Sequence, residues 1–324
     1  MSRLGIVVIG RNEGERLERC LRSLAGAERM IVYVDSGSSD DSVAFARREG
    51  CRVVELDPSL PFSAARARNE GLRRLLEEEP ATELVQFVDG DCEVRAEWIP
   101  NAVRALEASP GTAVVCGRRR ERAPDASLYN RLCDLEWDTP VGEALACGGD
   151  FLARVRALNQ VGGFDASVVA GEEPELCLRL RRAGWTIRRL DAEMTLHDAA
   201  ISRFAQWWRR MVRSGHGYAQ GAAMHRGFYF RENASIVFWS LLWPLAAFAL
   251  AAPTRGLSLG LLAAYPLQIV RIARRESHRT AHASDAWLYG AFCVLGKWAQ
   301  HAGQWKYLFV RWRGRLPHII EYKG

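Results

Sequence analysis

The uncharged run Val85-Gln86-Phe87-Val88 stops at Asp89-Gly90-Asp91, and this stop constrains the fold more than any other stretch of the chain. Aliphatic and aromatic residues in a short uncharged run read as a strand buried on both faces, the pattern of a parallel sheet. Open α/β sheets hold their ligands at the carboxyl ends of their strands, where these aspartates fall. Two carboxylates separated by one glycine can turn toward a common point, and their repulsion favours a cation between them. A hard divalent ion shared with phosphate oxygens satisfies that arrangement. A plain Asp-Gly turn closing the strand is the competing reading.

The preceding residues repeat the pattern. Gly5-Ile6-Val7-Val8-Ile9 reads as a buried strand, followed by Gly10-Arg11-Asn12-Glu13 and a helical period through Leu17, Cys20, Leu21 and Leu24. Met30 to Val34 is a second strand, ending at Asp35-Ser36-Gly37-Ser38-Ser39-Asp40; a helix at Val43 to Arg48 and a third strand at Cys51 to Leu56 come next. Strand, polar loop, helix and strand at this spacing predict parallel βαβ units, with the loops along one edge of the sheet. The Asp35 loop joins a carboxylate to small hydroxyls and glycine, which allows close approach to a ribose or base, although a helix N-cap explains it equally well. Neither the GxGxxG fingerprint nor a P-loop is present.

Charge and cysteine usage narrow the classes. The formal charge is +6, and of 44 basic residues only Lys297, Lys306 and Lys323 are lysines. The arginines crowd into Arg203 to Arg231, Arg271 to Arg279 and the C-terminal tail, which favours a basic face toward phosphate or anionic lipid. No nucleic-acid motif accompanies them, so nucleic acid is not an expected partner. Eight scattered cysteines without a CxxC pair read as small buried residues in a reducing compartment. The apolar run Leu4 to Ile9 is short for a signal peptide, so the N-terminal half is expected to remain cytoplasmic.

Taken in order, Asn12-Glu13, Asp35-Ser36-Gly37-Ser38-Ser39-Asp40, Ala67-Arg68-Asn69 and Asp89-Gly90-Asp91 resemble family 2 of the nucleotide-sugar glycosyltransferases, over about two thirds of the chain from Leu4 to Tyr218. The resemblance implies the GT-A fold, a Rossmann-like, mostly parallel central sheet with helices on both faces. It also implies that Asn12, Glu13, Asp35, Ser36 and Gly37 hold the nucleoside, and that Arg68 lies near the base or diphosphate. The Asp89 and Asp91 pair would hold Mg²⁺ or Mn²⁺ on the diphosphate, with Asp91 as direct ligand and Asp89 acting on the ribose or through water. A divalent ion there stabilises the charge that grows on a leaving nucleoside diphosphate.

Further along, Cys147-Gly148-Gly149-Asp150 matches the family's glycine-rich strand beneath the sugar. Gly149 would bring backbone close to the donor and Asp150 would bond its hydroxyls. The Gly171-Glu172-Glu173-Pro174-Glu175 helix start, good helix chemistry in itself, falls where the family has a Glu-Asp motif supplying the general base. Glu173 stands where aspartate is common and is the expected base, with Glu172 as competitor. His197 matches a histidine that completes the metal site in several GT-A enzymes. The basic, aromatic helix at residues 203–218 loosely matches an acceptor- and diphosphate-closing element, which implies roles for Gln206, Arg209, Arg210 and Arg213; it lacks that element's terminal tryptophan, so processivity is left open. The run Arg118-Arg119-Arg120-Glu121-Arg122 is either a solvated patch or an acceptor-phosphate contact.

The last third is different in kind. Residues 233–254 carry no charge, and a helix over them reaches about 30 Å, enough to span a hydrocarbon core. With the shorter apolar run at 256–270, it predicts a hairpin at about 234–273 that spans the membrane or lies in its interface, followed by an amphipathic helix at about 284–312. Flanking arginines outnumber Arg255 at the hairpin tip, which places both ends on the cytoplasmic face of the plasma membrane. The expected organisation is a glycosyltransferase domain at 1–222 and a membrane-associated helical region at 223–324. The expected activity is metal-dependent, inverting transfer of a sugar from a nucleotide-sugar donor to a lipid-linked or other saccharide acceptor in exopolysaccharide or envelope-glycan synthesis. A non-catalytic sugar-nucleotide-binding protein and a nucleotidyltransferase are the alternatives.

Overall fold

The computed structural model describes residues 3–26, 29–280 and 282–314. Lys323 and the end of the basic tail lie outside the described residues. The chain forms two compact units, the first from residues 1–123 and 136–199 and the second from residues 124–135 and 200–324.

The first unit is built on a nine-stranded sheet. Its opening half is β1 (Leu4–Gly10), α1 (Glu15–Ser23), β2 (Ile31–Asp35), α2 (Ser42–Arg48), β3 (Arg52–Glu55), α3 (Ala64–Glu78) and β4 (Leu84–Asp89). The strands lie side by side in the order β3-β2-β1-β4, all parallel, as the βαβ spacing predicts. Ile6, Val7, Val8, Val32, Val34, Val85 and Phe87 are all fully buried, and each such side chain contributes about 1.5–3 kcal/mol. Register places Gly10 opposite Asp35 and Ile9 opposite Asp89, so the loops after β1, β2 and β4 open on one edge.

Beyond β4 the sheet is mixed. The chain continues through β5 (Cys92–Val94), α4 (Trp98–Glu107), β6 (Thr112–Glu121), α5 (Leu128–Trp137), β7 (Gly142–Glu143), β8 (Phe151–Arg154), α6 (Val155–Val161), α7 (Glu172–Arg182) and β9 (Thr186–His197). β8 runs antiparallel between β4 and β6, while β6 and β9 are parallel. The all-parallel part of the sheet is therefore β3-β2-β1-β4, while the rest mixes the parallel β6–β9 pair with antiparallel neighbours. β6 and β9 are long strands of 10 and 12 residues, and their length carries Arg119 and His197 into the site.

The second unit is helical: α8 (Phe204–Met224), α9 (Phe230–Val237), α10 (Trp243–Ala249), α11 (Ala264–Glu276) and α12 (Ala283–Trp312). α8 packs against α12 here, so the break between units falls at Ala199/Ala200 and not at the expected 222/223. A Cβ at Gly215 would lie 1.9 Å from Gln300 O, and one at Gly303 would lie 2.0 Å from Val212 O, so glycine alone permits this backbone approach. The hairpin forms, tied by Trp243 Nε1 to Leu261 O at 2.9 Å, Ser258 Oγ to Ala247 O at 2.7 Å and Tyr265 OH to Trp239 O at 2.6 Å. The continuous α-helix expected over its first arm does not: a wider π turn at Phe238–Leu242 separates α9 from α10. Among the described residues no helix is long and apolar enough to cross a membrane.

Candidate functional site

The carboxyl end of β4 is the centre of the site. Antiparallel pairing sets Cys92 of β5 opposite His197 at the end of β9, and this brings His197 Nε2 to 3.4 Å from Asp91 Oδ2. Asp91, Cys92 and His197 form a cluster with one possible ligand atom each, all within 4.8 Å of one another. The predicted pair Asp91 and His197 is thus brought together, and the Trp137 ring packs edge-on against His197 with centroids 4.5 Å apart. A carboxylate oxygen and an imidazole nitrogen beside the sheet edge fit a divalent cation such as Mn²⁺ or Mg²⁺.

Asp89 turns away from Asp91 toward cations of the protein itself. Arg68 Nη2 donates to its Oδ1 at 2.7 Å, and Arg119 Nη2 lies 3.6 Å from its Oδ2. Arg68 is buried on α3 and also donates to Glu172 Oε1 at 2.7 Å and to Gly149 O at 3.3 Å. Burial works against its charge, and the carboxylates of Asp89 and Glu172 outweigh burial and hold its pKa above the ordinary value. The expectation that Arg68 reaches the nucleotide is corrected: its side chain is 2% exposed, and its two Nη groups fix Asp89 to the start of α7.

The role expected for Asp150 is corrected too. It is fully buried, accepting from Asp89 N at 2.9 Å, Arg119 Nη2 at 2.8 Å and Thr195 Oγ1 at 2.8 Å, so it cannot bond a sugar hydroxyl. Arg119 and Thr195 face each other in the β6–β9 register, which is why both converge on it. Gly149 is needed for packing within the site, since a Cβ there would come 2.3 Å from Asp89 Oδ2. Neither Arg119 nor Thr195 was singled out from the sequence. Local sequence does not distinguish Arg119 from its neighbours in the arginine run, of which Arg118 pairs with Asp138 at 3.2 Å and Arg122 with Glu93.

The loops after β1 and β2 bind each other. Asn12, with φ 53°, donates its N–H to Ser38 Oγ at 2.9 Å and accepts from Ser39 N at 2.7 Å. Glu13 pairs with Arg16 at 2.9 Å, and Ser36 N donates to Gly10 O at 3.0 Å. Asp35 accepts from Gly37 N at 2.9 Å, Ser38 N at 2.8 Å, Ser38 Oγ at 2.5 Å and the Tyr33 hydroxyl at 3.1 Å. Its carboxylate shapes the loop, with Gly37 in the left-handed region at φ 83°.

At the start of α7 the two glutamates differ. Glu172 is held by Arg68. Glu173 Oε1 accepts from Gly148 N at 3.0 Å, and its Oε2 is buried with no hydrogen-bond partner among the described residues. Burial, reinforced by repulsion from Glu172, pushes the Glu173 carboxyl up to about 8. A carboxylate destabilised in this way is a stronger proton acceptor than an exposed one.

Gln206, Arg209, Arg210 and Arg213 lie on α8 in the second unit. The proposed contact through Gln206 is corrected, because its Oε1 accepts from Ser202 N at 2.9 Å and Arg203 N at 3.0 Å as part of a capping box. Arg209 is exposed, and its Nε donates to Ala205 O at 3.3 Å within the helix.

Residues 5–144 match the family model described as glycosyl transferase family 2. The chain is 27% identical over 236 residues to a pre-mycofactocin glycosyltransferase of Mycobacterium tuberculosis, a match covering 68% of this chain and 47% of that protein. The chain thus spans about half the length of that relative. It is 22% identical over 258 residues to glycosyltransferase AglE of Haloferax volcanii, covering 76% of this chain and 81% of the relative. A mannosyltransferase from Pyrobaculum calidifontis, solved with GDP-Man and Mn²⁺, superposes with a TM-score of 0.59 at 22% identity, over 91% of this chain and 87% of that one. At that identity the likeness speaks to the fold alone, and it is residues 5–144 that make this chain similar to glycosyl transferase family 2.

Proposed function

We propose that the chain is an inverting, divalent-cation-dependent glycosyltransferase in which Glu173 is the general base. The observation that carries this reading is the asymmetry of its carboxylate, with Oε1 fixed by Gly148 N and Oε2 buried without a partner. Glu173 takes the proton of an acceptor hydroxyl as that oxygen attacks the anomeric carbon, and the nucleoside diphosphate leaves with the bonding pair in a single displacement. Asp91 and His197 would hold Mg²⁺ or Mn²⁺; when bound, the ion neutralises charge on the departing diphosphate. Arg68 and Arg119 keep Asp89 in place, and the backbone of the Asn12 and Asp35 loops receives the nucleoside.

The acceptor we infer is a lipid-linked saccharide of exopolysaccharide or envelope-glycan assembly, met at the cytoplasmic face of the plasma membrane. Supporting this, the second unit exposes large apolar side chains, Phe230 by 70%, Leu257 by 83% and Trp312 by 80%, beside Arg231, Arg255 and Arg311. Exposed apolar side chains next to arginines suit a membrane interface. The test is nucleoside-diphosphate release by detergent-purified protein with UDP-, GDP- and dTDP-sugars and a lipid extract, with and without Mn²⁺ or Mg²⁺. Metal-dependent release with one donor, lost in Asp91→Ala and Glu173→Gln and giving a product of inverted anomeric configuration, is expected. Product of retained configuration, or full activity in Glu173→Gln, overturns the mechanism. Nucleotide binding without release favours the non-catalytic alternative.

A further inference from the structure

Beside the base lies a set of side chains that the transfer reaction does not use. Glu173 and Cys177 are four residues apart on α7 and so share one helix face. Cys147, from the segment ahead of β8, meets that face with its Sγ 3.5 Å from Cys177 Sγ. Both thiols are buried and free, and Cys147, Cys177 and Glu173 each offer a ligand atom, all within 4.8 Å of one another. Because Gly148 N already holds Oε1, the carboxylate atom left for a ligand is Oε2.

We propose that Cys147, Cys177 and Glu173 form a second cation site, specific for a thiophilic divalent ion such as Zn²⁺, whose filling takes the base out of the reaction. Zn–S bonds of about 2.3 Å in a tetrahedral site set two sulfurs about 3.8 Å apart, close to the spacing already present. Two sulfurs and one oxygen leave the fourth position for water or an acceptor hydroxyl. The donor set also separates this site from Asp91 and His197, since thiolates select soft or borderline ions and carboxylate oxygens select Mg²⁺ and Mn²⁺. Binding releases the two thiol protons, and that of Glu173 where it is protonated, to solvent as two metal–sulfur bonds and one metal–oxygen bond form; no oxidant is required. The inhibitory consequence rests on Glu173 being the base, whereas the binding does not.

Titration of the full-length, detergent-purified protein with Co²⁺ in saturating Mg²⁺ tests the binding. One thiolate-to-cobalt charge-transfer band per chain is expected, displaced by Zn²⁺, lost in Cys147→Ala and in Cys177→Ala, and retained in Cys92→Ala and Asp91→Ala. Thermal unfolding of each variant separates loss of ligand from loss of fold. A band that disappears in Cys92→Ala but survives in Cys177→Ala places the ion at Asp91 and His197 and overturns the proposal, as does the absence of any band. In the release assay, Zn²⁺ at a fixed excess of Mn²⁺ should lower turnover by about 10²-fold or more, the scale of a lost general base. Relief of that inhibition by more Mn²⁺ contradicts a separate site. A Cys177-dependent band without inhibition upholds the binding site and refutes both the inhibition and Glu173 as base.

Discussion

Arg68 and Glu172 are joined by a 2.7 Å bond between Nη1 and Oε1, deep beneath the sheet edge, with the guanidinium only 2% exposed. The same guanidinium holds Asp89 at 2.7 Å, so one buried cation ties the end of β4 to the start of α7. Replacing Arg68 by Ala removes the buried cation that Asp89 and Glu172 share, and breaking a buried pair in this way typically costs about 3–5 kcal/mol. Chemical denaturation should register that loss, and the release assay should show a fall in kcat. Arg68→Lys should recover stability only in part, because an ammonium cannot reproduce the guanidinium's fixed fork.

Glu173 gives the reaction a pH dependence of known sign. Its carboxyl stands at about 8 against an ordinary 4.5, so turnover should rise with pH and approach its plateau only above about 8. Because the folded state holds this proton more tightly than the unfolded state, the associated stability is complete below about 4.5 and is lost as pH rises through about 8. Glu173→Gln should lower turnover by about 10²- to 10⁴-fold and flatten that part of the stability profile, with donor binding retained. Rate profiles and urea melts from pH 5 to 9 check both.

His216 works in the opposite sense within the second unit. Burial, with Lys306 and Arg213 adding repulsion, pulls its pKa down to about 4 from 6.5. Its unfolded form binds the proton more readily, so stability is present above about 6.5 and is lost as pH falls through about 4. In His216→Leu that acid-side slope should disappear from unfolding followed by tryptophan fluorescence.

The crossing of α8 and α12 should tolerate no side chain at its closest points. Gly215→Ala sets a Cβ against Gln300 O and Gly303→Ala one against Val212 O, at 1.9 and 2.0 Å. Each should destabilise the second unit by about 1–3 kcal/mol or more through forced backbone displacement. Gly260→Ala, where a Cβ meets nothing within 4 Å, is the control. Melting temperatures of the three variants distinguish the cases.

A chelator should stop nucleoside-diphosphate release, and Mn²⁺ or Mg²⁺ should restore it. With His197→Ala a higher ion concentration should be needed for half-maximal rate, since one ligand beside Asp91 is gone.

The local sequence by itself determined the four parallel strands, because apolar runs punctuated by polar loops at βαβ spacing can bury both faces in few other ways. It also placed Asp89, Asp91 and Glu173 at element ends, and through the order of motifs it linked Asp91 to His197 across more than a hundred residues. What it could not contain was where the side chains point. The family resemblance makes Arg68 and Asp150 ligand-facing, yet both are buried, and their partners Glu172, Gly149, Arg119 and Thr195 come from distant elements. The mixed half of the sheet, the interrupted hairpin helix and the meeting of Cys147 with Cys177 were likewise decided only by tertiary structure. Periodicity reports the environment of one element at a time, whereas buried charge pairing, strand reversal and backbone contact at glycine depend on which elements meet.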